Sequence, residues 1–277
     1  VARTPMIVAH AYAVKRHYYN REGLYLHHSQ PHMSLAENFL YSIRRDNSFT
    51  REEAKLLDLC LVLHAEHGGG NNSAFTCRAV SSTGTDIYSA IAAAVGSLKG
   101  PRHGGANIKV TNMFRHIRED VKDWADDDEV KNELRRILRG DAGDGSGLIY
   151  GMGHAVYTLS DPRAVMLKRF AGKVAEMKGR MDELKLIESV ERLAPRVFFS
   201  ETENDKVICA NVDLYSGFVY DMLGIPEELF TPLFATARMV GWCAHRIEEV
   251  TNPRNRIMRP AYRALSKKKE YVPLEKR

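Results

Sequence analysis

The chain has 277 residues, 44% of them hydrophobic and 27% charged, enough to bury one large core or two modest ones. Its formal charge of +5 is spread along the sequence without the dense basic tract of a nucleic-acid binder, so no nucleic-acid partner is expected and small anionic ligands suit it better. Nothing reaches the ~18 consecutive apolar residues of a membrane span or reads as a signal peptide, so no membrane partner and a cytoplasmic location are the expectation, with organellar targeting left open.

Apolar residues recur mainly at three- and four-residue steps, which predicts an all-α fold. Val1 stands where a start Met would be, and residues 1–5 carry no helix-start pattern, so the chain is expected to begin partway through a longer protein. Ser34 with Glu37 has capping-box spacing ahead of Phe39, Leu40 and Ile43, and Thr50 with Glu53 repeats it ahead of Leu56, Leu57 and Cys60. Residues 86–98 are rich in small side chains, predicting a closely packed helix that breaks at Gly100-Pro101. Asp126, Asp127 and Asp128 read as a solvated helix end. The run DAGDGSG at 141–147 reads as a turn, since the closing Glu of a calcium loop is missing. Thr231-Pro232 predicts an N-cap and first turn, and Asn252-Pro253 the end of that helix. Residues 267–269 read as a solvated tail. Cys60, Cys77, Cys209 and Cys243 form no CxxC pair and read as reduced core thiols.

Phosphate-loop, dinucleotide and HExxH signatures are absent. What remains is a set of histidines among small residues: His64 and His67 in LHAEHGGGN, His103 in GPRHGGAN, and His154 in GHAVYTLSDPR. Glycine beside histidine lets backbone and ligand approach closely and permits turns that aim the ring into a cleft. A metal site on His64, His67 and His103, serving a hydrolase, is one reading of this set, though it lacks a supporting carboxylate motif.

Together with NVDLYSG, FATAR and NRIMRP, these blocks resemble those of the citrate synthase family, in the family's order and with similar separations from His64 to Pro260. The resemblance implies a two-domain, all-α fold. Its large domain is discontinuous (residues 1–105 and 218–277) and lacks the family's N-terminal helices; a small domain (106–217) is inserted between the two parts. Gly104-Gly105 and Gly217 are candidate hinges. The implied reaction joins acetyl-CoA to oxaloacetate and water, giving citrate and CoA. His103 and Asp213 would activate acetyl-CoA, and His154 would act on the oxaloacetate ketone. His67, Arg163, Arg238 and Arg259 would hold oxaloacetate, with Arg259 reaching across a homodimer. Leu148, Ile149, Tyr150, Gly151, Met152 and Gly153 would form a backbone-rich loop beside the adenine of CoA, and Lys206 would meet a phosphate. No metal and no tightly bound cofactor are implied; acetyl-CoA is a cosubstrate.

The chemistry is coherent residue by residue. An acetyl methyl is a very weak carbon acid, so a carboxylate can deprotonate it only where the growing enolate oxygen is stabilised. Oxaloacetate carries two carboxylates, which suit planar, permanently charged guanidinium groups. Simpler roles exist for the same residues: Arg163 as a salt bridge beside Asp161-Pro162, Arg238 paired on its helix, Asp213 as a helix cap, and Arg259 and Lys206 as solvated side chains. Glu66, Gly68, Arg102 and Thr158 depart from residues frequent in the family, which touches the CoA contacts rather than the catalytic positions. The triple glycine is more like dimeric members. A 2-methylcitrate synthase using propionyl-CoA would keep the same catalytic residues, and a noncatalytic relative is a further alternative.

Overall fold

Both capping boxes form, and each starts a helix where the sequence places it. Ser34 Oγ accepts from the Glu37 N–H while Glu37 accepts from the Ser34 N–H at 2.7 Å, opening α2 (Leu35–Ile43). Thr50 and Glu53 repeat the exchange at the head of α3 (Arg51–His64). Asp86 caps α5 (Ile87–Leu98), and Asp126 caps α7 (Asp127–Arg139). Such side-chain acceptors satisfy first-turn N–H groups that have no partner within the helix.

The computed structural model describes residues 1–153, 157–204, 206–261, 263, 265 and 269–276. The remaining helices are α1 (Thr4–Asn20), α4 (Asn72–Ser81), α6 (Ala106–Asp120), α8 (Pro162–Met177), α9 (Met181–Thr202), α10 (Asp213–Met222) and α11 (Phe230–Thr251). Among the described residues there is no sheet, and a single antiparallel bridge joins Met152 to Ala210. The fold is all-α, as expected. No described helix is long and apolar enough to cross a membrane. Cys60, Cys77, Cys209 and Cys243 are free thiols.

Helix α10 is buried on every side over residues 214–220, so it runs through the core against α3, α6 and α8. The small residues of α5 work differently. Ala90 and Ala94 let it pack tightly on α4, and together with Ala74, Cys77, Leu98 and Trp242 of α11 they form a separate cluster.

Two expectations change. Residues 1–5 do start a helix: α1 begins at Thr4 with Pro5 in its first turn and no side-chain cap. Its place comes from packing on α2 rather than from a local signal. Thr231 is not an N-cap, because a 3-10 turn (Glu227–Leu229) leads directly into α11, and the Thr231 hydroxyl instead donates to the Gly104 carbonyl at 2.8 Å. Gly217, at the expected boundary between the domains, lies inside α10 and is pressed against Asn107 and Thr111 of α6.

Candidate active site

His103 sits in the tight turn between α5 and α6. Its N–H donates to the Gly100 carbonyl at 2.9 Å, and the next N–H, of Gly104, donates to Leu98 at 2.8 Å. A Cβ on Gly104 would lie 2.2 Å from the Leu98 carbonyl oxygen, so this turn requires glycine. Held by the Thr231 bond as well, the turn leaves His103 Nε2 buried without a partner among the described residues. Burial, then the nearby positive charge of Arg238, push the imidazole pKa down, so the ring is neutral at physiological pH.

Asp213 is the first residue of α10, where the helix dipole favours a negative charge. Burial outweighs that effect and raises its pKa to about 6; the positive charges of Arg163 and Arg238 oppose the rise, and the negative charge of Asp161 adds to it. A carboxylate raised this far is a stronger base than an exposed one and is still mostly ionised at neutral pH.

Arg238, on α11, is only 1% exposed. Its Nε donates to the His64 carbonyl at 2.7 Å and its guanidinium lies 4.8 Å from the centre of the Phe234 ring, while Nη1 is buried with no partner among the described residues. Gly241, nearly one turn further on, makes this approach possible: a Cβ there would lie 2.3 Å from the Ala65 carbonyl at the end of α3. Burial lowers the Arg238 pKa only to about 10, so it stays cationic. Arg163 follows the simpler reading in part, with Nε and Nη2 on the Asp161 carboxylate at 3.0 and 2.7 Å.

A cleft of about 190 Å³ brings His67, His103, Asp213, Arg163 and Arg238 together, with Gly153, Asn71, Asn107, Asn211 and Phe234 in its walls. His154 lies outside the described residues. The other expected contacts are not in this cleft. Leu148 and Tyr150 line a second cavity of about 200 Å³ beside Lys109 and Asp144, and Ile149 is buried in the core. Gly151 packs on Leu214, and Met152 bridges to Ala210. Lys206 and Arg259 are exposed.

His64 is fully buried between Tyr220 and Phe234, and burial lowers its pKa to about 3, so it supports Arg238 through its carbonyl and does not line the cleft. It does not converge with His67 and His103 at metal-ligand spacing; among the described residues that spacing occurs at His116, Asp120 and Glu133, whose two carboxylates both bond to Arg136.

Sequence reasoning missed Asn107 and Asn211. Asn107 is 3% exposed and its Oδ1 has no partner among the described residues. Both lie in blocks that carry the resemblance, yet an asparagine there reads first as a cap, as Asn71 indeed is for α4. Chemically, the cleft offers a base of raised pKa, a neutral imidazole and a buried cation. That set suits proton removal from carbon beside a carbonyl while an anionic ligand is held.

The family description "Citrate synthase, C-terminal domain" matches residues 1–261. Citrate synthase of Deinococcus radiodurans is 40% identical over 228 residues, 82% of this chain and 55% of that protein. The chain spans 55 to 63% of the length of the first curated relatives it matches. The solved ternary complex of Thermoplasma acidophilum citrate synthase with carboxymethyl coenzyme A and oxaloacetate aligns with a TM-score of 0.76 at 30% identity, covering 99% of this chain and 67% of that one. Citryl-CoA lyase of Hydrogenobacter thermophilus aligns with a TM-score of 0.66 at 25% identity, covering 88% and 89%. The chain belongs to the citrate synthase family.

Proposed function

We propose that this cleft condenses acetyl-CoA with oxaloacetate and water to give citrate and CoA. The observation that carries the reading is Arg238, a buried cation with Nη1 unpartnered in the same cleft as a carboxylate raised to about pKa 6 and a neutral imidazole. A buried guanidinium with an unmet donor is costly, and an anionic substrate supplies the acceptor.

Asp213 takes a proton from the acetyl methyl while His103 Nε2–H donates to the growing enolate oxygen. The enol carbon attacks the ketone of oxaloacetate, whose carboxylates are held by Arg238 and Arg163, with a further hydrogen bond from His67. His154 is assigned to the ketone oxygen. Hydrolysis of the citryl-CoA thioester then releases citrate and CoA. The 148–153 loop and Lys206 are assigned to CoA, and residues 106–217 to a small domain that closes on the cleft, excluding water until condensation is complete. Arg259 is assigned to the partner site of a homodimer. Its exposure is compatible with that role, and the exposed Phe75, Ile87 and Tyr88 of the neighbouring α4–α5 pair offer apolar surface.

The test is oxaloacetate-dependent release of CoA thiol from acetyl-CoA, repeated with Asp213→Asn. Undiminished turnover in that variant removes Asp213 as the base. Propionyl-CoA in parallel addresses 2-methylcitrate synthesis, since one methylene discriminates by only about 1–3 kcal/mol. The likeness to citryl-CoA lyase favours a second reading, in which the same groups cleave citryl-CoA. Supplied citryl-CoA would then yield acetyl-CoA and oxaloacetate with no free thiol, whereas the synthase reading requires citrate and CoA.

A further inference from the structure

We propose that Asn211 is a positioning residue for this cleft, a single carboxamide that sets the Asp213 carboxylate and the Gly153 segment of the wall together. The proposal rests on the reading of Asp213 as the base.

Asn211 Oδ1 accepts from the Asp213 N–H at 3.0 Å, and Nδ2 donates to the Gly153 carbonyl at 3.0 Å. One partner is a pure donor and the other a pure acceptor, so flipping the amide would lose both bonds. The backbone reinforces the side chain: the Asn211 N–H donates to Gly151 at 2.9 Å, and the Gly153 N–H to Cys209 at 2.7 Å. Residues 209–211 and 151–153 are thereby tied as a short antiparallel pair.

Asp213 needs such a support. Among the described residues no side chain hydrogen-bonds its carboxylate, and Val212, at the cap position of α10, contributes no side-chain cap. The aim of the base is therefore set through its backbone, and the Asn211 bond holds the first N–H of that helix. Serine or threonine could accept from that N–H but would lose the arm to Gly153. Aspartate would set an acceptor against the Gly153 carbonyl and a like charge beside Asp213, raising its pKa further.

The experiment compares Asn211→Ala, Asn211→Asp and Asn38→Ala in the full chain. Asn38 is a control: its amide holds the Gln30 and Met33 carbonyls ahead of α2, outside the cleft. In Asn211→Ala, kcat is expected to fall about 10- to 100-fold, since small misplacements of a reacting group carry losses of that order. Oxaloacetate affinity should stay within about twofold, because the anion-binding arginines are untouched. Asn38→Ala should lower the melting temperature and leave kcat within about twofold, as a purely structural bond would. Asn211→Asp should move the acid limb of the kcat profile upward by about one pH unit. Amide hydrogen exchange at Asp213 and Gly153, expected at least about tenfold faster in Asn211→Ala, reads the clamp without any activity. A folded Asn211→Ala with kcat near wild type, an unmoved acid limb in Asn211→Asp, or unchanged exchange would overturn the proposal. A full-length parent protein without oxaloacetate-dependent CoA release, but with exchange altered in Asn211→Ala, overturns the functional reading and leaves the clamp standing.

Discussion

Arg238 Nε donates to the His64 carbonyl oxygen at 2.7 Å, which ties the guanidinium to the end of α3 and leaves its Nη1 buried without a protein acceptor among the described residues. The His64 ring, neutral and enclosed, adds no competing positive charge. This relationship leaves Arg238 a buried cation with a donor free for a ligand's carboxylate. Arg238→Gln is expected to weaken oxaloacetate binding about 100-fold or more and to cost about 1–3 kcal/mol of fold stability, because the charge-assisted bond to the ligand and the buried bond to the His64 carbonyl are lost together. Titration calorimetry with oxaloacetate, alongside thermal melting, checks both halves. Arg238→Lys should recover little, since an ammonium cannot reproduce the planar fork.

Asp213 carries a stability cost that follows from its pKa of about 6. In the unfolded chain a carboxyl titrates near its ordinary value of about 3.9, so between those two values the folded state binds more protons and stability falls as pH rises. Asp213→Asn removes the ionisation and is expected to raise stability by about 1–3 kcal/mol at pH 8, with no comparable gain near pH 4. Turnover should be lost in the same variant. Denaturant melts at the two pH values test the sign. Wild-type kcat should likewise rise with an acid limb near pH 6, where the base becomes ionised.

Glu53 shows the opposite linkage. The residue is 3% exposed, and its carboxylate binds Arg44 at 3.1 and 3.2 Å and Lys178 at 2.6 Å, joining α2, α3 and the end of α8. Burial alone would raise its pKa, but the bonds from Arg44 and Lys178 outweigh it and lower it to about 2. This stability is present above the ordinary carboxyl pKa and is lost as pH falls from about 4.5 toward 2. Glu53→Gln is expected to destabilise the chain by about 2–3 kcal/mol at pH 7 and to flatten its acid unfolding over that window.

Gly241→Ala tests how closely α11 must approach α3. Its Cβ would lie 2.3 Å from the backbone oxygen of Ala65, which cannot swing away as a side chain could. Helix α11 must move outward, carrying Arg238 with it. A loss of about 2–4 kcal/mol is expected, together with weaker oxaloacetate binding in whatever fraction stays folded. An alanine variant that melts and binds like the wild type would show that the contact is soft.

Local chemistry was readable from residues close together in the chain. The capping pairs Ser34/Glu37 and Thr50/Glu53 depend on bonds spanning three residues, so spacing alone predicts them. The histidine, aspartate and arginine blocks pointed to the family and to a common cleft for His67, His103, Arg163, Asp213 and Arg238. Long-range contacts decided the rest. Helix α1 has no cap and is placed by packing, and Thr231 spends its hydroxyl on Gly104, 127 residues away, rather than on its own helix. The orphaned Nη1 of Arg238, the enclosed Oδ1 of Asn107 and the two-armed bond of Asn211 exist only once distant backbone segments are brought together. Burial and unmet hydrogen bonds belong to the assembled surroundings of a side chain, so residue identity supplied the functional groups and tertiary packing decided their charge, aim and want of a partner.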